Sequence, residues 1–169
     1  MQIYRSSVLQ RISISNASGA ESIYYRLDRW TGIKLIRTPF RSQDGYFKHQ
    51  TVESLLSSPK WIEARRQYDL MEMLAKRKRS PHVYALVVVK YEEQHYDAFD
   101  YVPAIKMEHI DFTPNYGDMN SPSVKGKWRF VRYMQSAGWE MGDPHELNIV
   151  YAKNKKRHVI IDFGGIKKL

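Results

Sequence analysis

Oxygen-bearing side chains in the stretch Gly142–Gly165 are spaced so that they could gather around one cation. Asp143 and Asn148 precede an apolar run, Ile149–Tyr151. Asp162 directly follows a second run, His158–Ile161, and a polar, basic turn over Ala152–Arg157 separates the two. Two β-prone runs joined by such a turn predict a short hairpin. Closing the hairpin brings its outer ends together, and with them the three acceptor groups. Carboxylate and amide oxygens suit Mg²⁺, which takes a few protein carboxylates together with phosphate and water oxygens. The alternative is a surface hairpin that carries its carboxylates by chance. Other site chemistries are poorly served: the histidines show no H-x-x-x-H pairing, cysteine is absent, and there is no G-x-S-x-G nucleophile elbow.

Composition narrows the setting. A chain of 169 residues, 43% hydrophobic and 13% aromatic, can build one domain or two small lobes and is not expected to be disordered. No apolar run approaches the roughly 20 residues that span a bilayer. The N-terminal MQIYRSSVLQRISIS has neither a continuous apolar segment nor a small-residue cleavage site, so no signal peptide is expected. The lack of cysteine excludes disulfides and thiolate metal sites and fits a reducing compartment. A net charge of +9 points to an anionic partner, whether nucleotide phosphate, acidic protein or nucleic acid. The densest basic run, Lys76–Arg79, follows a helical pattern and reads either as a solvated helix end, where cations complement the negative end of the helix dipole, or as a docking patch.

The elements that must position the hairpin read as a small sheet with one main helix, then a linker and a second helix. Arg11–Ser15 and Ile23–Leu27 are β-prone and flank a turn of small residues, Ser15–Ser22, whose backbone at Gly19 and Ala20 could approach a phosphate. Trp30–Ile36 is a further strand, with Lys34 between Ile33 and Leu35. Thr51–Leu56 predicts a short helix, and Ser58-Pro59 starts a longer one running to Lys76, with Ser58 as N-cap. On that helix Glu63, Gln67, Leu70 and Leu74 share a stripe with Met73 beside them, whereas Glu72 lies with Arg65, Tyr68 and Lys76 on a solvated face. A carboxylate on the core-facing stripe needs a cationic partner, which singles out Glu63 over Glu72 as the carboxylate of this helix to be paired. Tyr84–Lys90 reads as a buried central strand, Tyr91–Asp100 as a polar connector and Val102–Ile110 as the next strand. Phe112–Gly126 is loop-like, and Lys127–Ala137 is a helix stopped by Gly138.

Asp143-x-x-x-x-Asn148, a hairpin, then Asp162-Phe163-Gly164 resembles the catalytic loop and DFG element of protein kinases. The wording Gly142-Asp143-Pro144-His145-Glu146-Leu147-Asn148 is similar to the G-D-x-H-x-x-N of atypical kinases such as the RIO, UbiB-like and aminoglycoside-phosphotransferase groups. The resemblance implies an α+β, two-lobed kinase-like fold. Residues 1–110 would form an antiparallel N-lobe with one main helix, 111–126 a hinge or linker, and 127–169 a truncated, mostly helical C-lobe. It implies ATP and Mg²⁺ as cofactors, with Asp143 orienting the acceptor hydroxyl and Asn148 and Asp162 holding the metal. Lys34, fixed by Glu63, would hold the α- and β-phosphates, Gly19 and Ala20 would line the phosphate loop, and Met107, Glu108 and Ile110 would frame adenine.

Two departures from the family are visible. Met141 stands where the catalytic-loop histidine is expected, and the chain ends five residues after Gly164, without an activation segment or large C-terminal helices. This resembles either a fragment or a minimal kinase of the kind found in bacterial effectors and bacteriophages. The implied activity is transfer of the ATP γ-phosphate to a protein Ser/Thr hydroxyl, with a small-molecule kinase as a close variant and a nucleotide-binding pseudokinase as the rival. A protein substrate or activating partner, drawn to the basic face, is expected to complete the acceptor platform. The expected location is the cytoplasm, that of a host cell for an effector or phage protein. Membrane association is not expected, and nucleic acid ranks last as a partner because no binding motif is recognisable.

Overall fold

The computed structural model describes residues 1–11, 24–36, 49, 51–92, 99–111, 122–142, 149–163 and 166–169. They form a mixed α/β architecture, rich in antiparallel strands and with few helices, in two compact units. One comprises Met1–Asp69 and Val83–His109, the other Leu70–His82 and Ile110–Leu169.

The first unit is built on one six-stranded sheet. Its strands are β1 (Ile3–Arg5), β2 (Gln10–Arg11), β3 (Tyr24–Arg26), β4 (Thr31–Leu35), β5 (Val83–Glu92) and β6 (Phe99–Glu108), in the order β1-β5-β6-β4-β3-β2. The YALVVVK run sits inside β5, where Val87, Val88 and Val89 are all fully buried. A strand covered on both faces reads as continuous apolar sequence, and this one does. One face carries the cluster Tyr25, Ile33, Leu35, Val87, Val89, Val102 and Ala104. The early hairpin is present as Gln10↔Arg26 and Arg11↔Tyr25, though Gly19 and Ala20 of its turn lie outside the described residues. The sheet departs from the expected all-antiparallel pattern at one edge, where β1 runs parallel to β5 with Ile3 opposite Val88. A tight hairpin would force antiparallel pairing, but most of the unit's chain separates these two strands.

Two helices follow β4. Thr51 caps α1 (Val52–Leu56), its side chain accepting the Ser54 N–H at 3.1 Å. Ser58 caps α2 (Pro59–Lys76), its hydroxyl accepting the Trp61 N–H at 3.3 Å, and Pro59 takes the first helical position, where its missing N–H is harmless. The expected stripe of α2 is inward: Gln67, Leu70 and Leu74 are buried, joined by Ala64 and Met71. Glu72 is exposed and pairs with Lys76 at 3.7 Å.

In the second unit α2 ends in a turn with Lys78 in the left-handed region at φ 59°. The Arg79 N–H returns to the Leu74 carbonyl at 2.9 Å and the Lys78 N–H to Ala75 at 2.8 Å, the two bonds of a Schellman stop. Helix α3 spans Pro122–Ser136 and so begins inside the stretch expected to be linker; proline at its first position explains why the loop-like composition misled. Phe130, Val131 and Met134 are buried, and Gly138, at φ 83°, ends the helix as its position suggested.

Four strands among the described residues complete this unit. β7 (Trp139–Met141) pairs with β10 (Ile166–Lys168), and β8 (Ile149–Ala152) with β9 (Arg157–Ile160), both antiparallel. Ile110, Val150, Ala152 and Val159 form its small core, with Ile161 packed against them. The described residues of this unit therefore carry more strand than the mostly helical lobe expected. Three-residue strands such as β10 have no readable periodicity of their own and exist only through their partner. No helix among the described residues is long and apolar enough to cross a membrane.

Candidate functional site

The β8–β9 hairpin has the register its sequence requires. Its first pair is Ile149↔Ile160, followed by Val150↔Val159, Tyr151↔His158 and Ala152↔Arg157. The open end is thus the one at which Asn148 leads in and Ile161-Asp162 leads out. The turn is a short 3₁₀ segment, Lys153–Lys155, closed by Lys156 at φ 51°. Backbone hydrogen bonds fix the hairpin at both ends: Ile160 N–H donates to the Arg79 carbonyl at 2.9 Å, and Lys153 N–H to the Asp111 carbonyl at 2.9 Å. Asp162 is half-buried, while the next side chain, Phe163, is fully buried and is the largest such side chain among the described residues. The Phe163 carbonyl accepts the Ile166 N–H at 3.3 Å, coupling the D-F element to β10, whose Ile166 faces Met141 in β7. Asp143, His145, Asn148 and Gly164 lie outside the described residues. Among those described, no three His, Cys, Asp or Glu side chains gather as a metal cluster.

In the first unit Lys34 lies in β4 opposite Tyr24 of β3 and Ile105 of β6. It is only 6% exposed, which is uncommon for a lysine and marks it apart from a solvated edge residue. Glu63, one turn into α2, is gripped by the Arg66 guanidinium through Nε to Oε2 and Nη2 to Oε1, each 2.8 Å, and by Gln67 Nε2 at 3.0 Å. The cation its stripe called for is thus supplied at least in part by its own helix. The fork is largely solvated, so its contribution to stability is small.

The stretch expected to read adenine is partly committed to the sheet. Met107 is buried and pairs with Gly32 and Val83, and Glu108 pairs with Thr31. The His109 amide, which could have pointed outward, donates to the Trp30 carbonyl at 2.7 Å. Ile110 belongs to the core of the second unit.

Sequence reading passed over an array beside this stretch. The Tyr24 hydroxyl meets His109 Nδ1 at 2.9 Å, and the two rings stack with centroids 5.9 Å apart. Gly32 is a glycine because the Tyr24 ring lies across it; a Cβ there would collide with the phenol. Burial pushes the Tyr24 pKa well above the usual phenol range, an effect that Arg26 opposes and Glu108 reinforces. Asp100 was also passed over. Only 2% exposed, it accepts the His49 N–H at 2.8 Å, while the Tyr101 N–H donates to the His49 carbonyl at 2.8 Å. Burial raises the Asp100 pKa, with the His49 amide and Lys60 opposing the rise. The only signal in sequence was an acidic residue, Asp100, ahead of the apolar run Val102–Ile105.

Neither a protein-family profile nor a curated protein sequence matches the chain. Among solved structures, a medium-resolution structure of the bifunctional kinase-methyltransferase WbdD is similar at 14% identity and a TM-score of 0.48, covering 95% of this chain and 34% of that one. A structure of monomeric WbdD is similar at 14% identity and a TM-score of 0.45, covering 94% and 36%. The chain spans about a third of the length of these proteins.

Proposed function

We propose that the chain is an ATP- and Mg²⁺-dependent phosphotransferase of the atypical-kinase type whose acceptor is a serine or threonine hydroxyl of a protein. One observation carries the reading. The β8–β9 register puts its open end at Ile149 and Ile160, between the G-D-x-H-x-x-N segment and Asp162-Phe163-Gly164. A nearly buried lysine in β4 accompanies it in the first unit. A half-buried carboxylate at Asp162 and a lysine held out of bulk water are donor types that fit a hard cation and a triphosphate.

In this reading Asp143 accepts the proton of the acceptor hydroxyl as that oxygen bonds to the γ-phosphorus. The bond from the γ-phosphorus to the β–γ bridging oxygen breaks, and ADP leaves with the electron pair. Lys34, oriented by Glu63, compensates charge on the α- and β-phosphates, Asn148 and Asp162 hold the metal, and Gly19 and Ala20 approach the phosphates. Bound Mg²⁺ would screen the charge developing on the phosphate oxygens. The adenine would rest against Met107 and be read by backbone groups at Glu108 and Ile110. The rate enhancement then comes from positioning and charge compensation, with little covalent work asked of the protein.

The test is transfer of label from γ-labelled ATP to a mixed set of acidic and basic protein acceptors, followed by phosphoamino-acid analysis. Transfer to serine or threonine that is lost in Asp143→Asn and lowered about 10²- to 10³-fold in Lys34→Ala is the expected result. Nucleotide-dependent thermal stabilisation without transfer to any acceptor overturns the catalytic reading and leaves a nucleotide-binding module. Transfer unchanged in Asp143→Asn overturns the assignment of the base.

A further inference from the structure

The net charge is unevenly divided. The second unit holds 14 Lys and Arg against 7 Asp and Glu, a net of +7 out of the chain's +9. Part of this charge is organised with aromatic rings on one face of α3. Trp128, Arg129, Arg132 and Tyr133 are exposed there and tile at helical spacing, so that each ring has an arginine one turn away: Trp128 with Arg132, and Arg129 with Tyr133. The rings remain 44% and 39% exposed, although the opposite face of the helix buries Phe130, Val131 and Met134. The Schellman turn that ends α2 delivers Arg79 onto this tile, its guanidinium 3.9 Å from the Tyr133 ring centroid and 5.6 Å from that of Phe130. The Arg79 carbonyl is held by the Ile160 N–H at 2.9 Å, and its Nε is buried with no hydrogen-bond partner among the described residues. Lys127 Nζ sits 5.0 Å from the Trp128 ring. Lys76, Arg77 and Lys78, immediately before Arg79, are exposed.

We propose that this face of α3, with Arg79 set against it, is a docking surface for single-stranded nucleic acid. Two properties point to that occupant over an acidic protein segment. An acidic segment needs cations alone, whereas the tile keeps the Trp128 ring 44% exposed, where a base stacks irrespective of sequence, beside a Tyr133 ring that carries Arg79 on one face. Its exposed cations are mainly arginines, whose planar fork matches phosphate oxygens in two-point contacts. The sequence carries no nucleic-acid-binding motif, because the tile comes into being only when the 76–79 run and the 128–133 stretch are folded together. This inference does not depend on phosphotransfer activity.

The experiment is fluorescence anisotropy of fluorescein-labelled dT20 and rU20 with the full chain, titrated at several salt concentrations. Dissociation constants of roughly 10⁻⁶ to 10⁻⁴ M at physiological salt are expected. The slope of log K against log salt should be about −2 to −3.5, the value for three to five phosphate contacts on a single strand. Trp128→Ala should weaken binding about 5- to 100-fold, and Trp128→Phe, which keeps a ring, should stay near the parent. Arg129→Glu with Arg132→Glu, at exposed positions that should not disturb folding, should abolish binding, whereas Arg65→Ala in the other unit should leave it unchanged. Two results overturn the inference. One is no saturable binding of either oligonucleotide. The other is binding insensitive to Trp128→Ala and displaced equally well by poly-glutamate, which would make the face an acceptor of acidic protein.

Discussion

Phe163 is buried next to Asp162, the residue proposed to hold the metal, so its removal tests packing and the proposed chemistry together. The side chain is 0% exposed, so truncation to alanine removes a whole buried ring and leaves a cavity its neighbours can only partly close. Such changes cost about 3–5 kcal/mol. In a chain of this length that corresponds to a fall of about 6–20 °C in melting temperature. Tryptophan fluorescence can locate the loss, since Trp128 and Trp139 belong to the second unit and Trp30 and Trp61 to the first. The transition reported by Trp139, a buried side chain, should move first. Phe163→Leu keeps an apolar side chain and leaves a smaller cavity than alanine, so it costs less and tests function separately. Asp162 is the adjacent residue, and an ångström of displacement at a reacting centre can cost about 10²-fold in rate. Phe163→Leu should therefore lower label transfer far more than it lowers stability. An alanine variant that melts within about 2 °C of the parent would refute the packing claim. A leucine variant with parental transfer would show that Asp162 is not positioned through Phe163.

Three further outcomes are expected. Gly138→Ala should destabilise by about 1–2 kcal/mol in urea unfolding: at φ 83°, with no atom of the described residues within 4 Å of an added Cβ, the penalty is conformational, and Gly138→Asn should lose less. Equal stability of the parent and the alanine variant would contradict this. Because burial raises the Tyr24 pKa above its unfolded value, the folded state holds that proton more tightly. The associated stability is present below about pH 10 and is lost as pH rises beyond it. Alkaline unfolding curves should show this loss, and Tyr24→Phe should remove it. Asp100 is likewise raised, mainly by burial, so its ionised form opposes folding at neutral pH and this group's contribution improves as pH falls toward the unfolded carboxylate value of about 3.9. Asp100→Asn keeps an oxygen for the His49 N–H and should melt at or above the parent at pH 7, with a flatter pH profile below it. A clearly lower melting temperature at pH 7 would mean that the carboxylate charge supports this contact.

What the sequence disclosed was local. Ser58-Pro59 announced the start of α2, Gly138 the end of α3 and Tyr84–Lys90 a doubly covered strand, because each depends on a few neighbouring residues meeting one backbone requirement. What it concealed was contact between distant parts of the chain. The Tyr24–His109 pair spans 85 residues and the His49–Asp100 bond 51, and nothing near either end marks the partner. The parallel edge at β1 and the β7–β10 pair are hidden for the same reason, three-residue strands being defined by what they pair with. Glu63 carries a partner that its stripe on α2 did not single out: Arg66, three residues along the same helix, engages its carboxylate. An i, i+3 pair closes at little entropic cost, so a nearby cation engages a carboxylate whatever longer-range partner it also has. Of the candidate site, the hairpin was legible, because two β-prone runs joined by a polar turn set their own pairing, and the Ile149↔Ile160 register agrees. Convergence of Asp143, Asn148 and Asp162 on a cation is a proposal, Asp143 and Asn148 lying outside the described residues. The proposed chemistry rests on Asp143 as base, which the labelling of Asp143→Asn addresses directly.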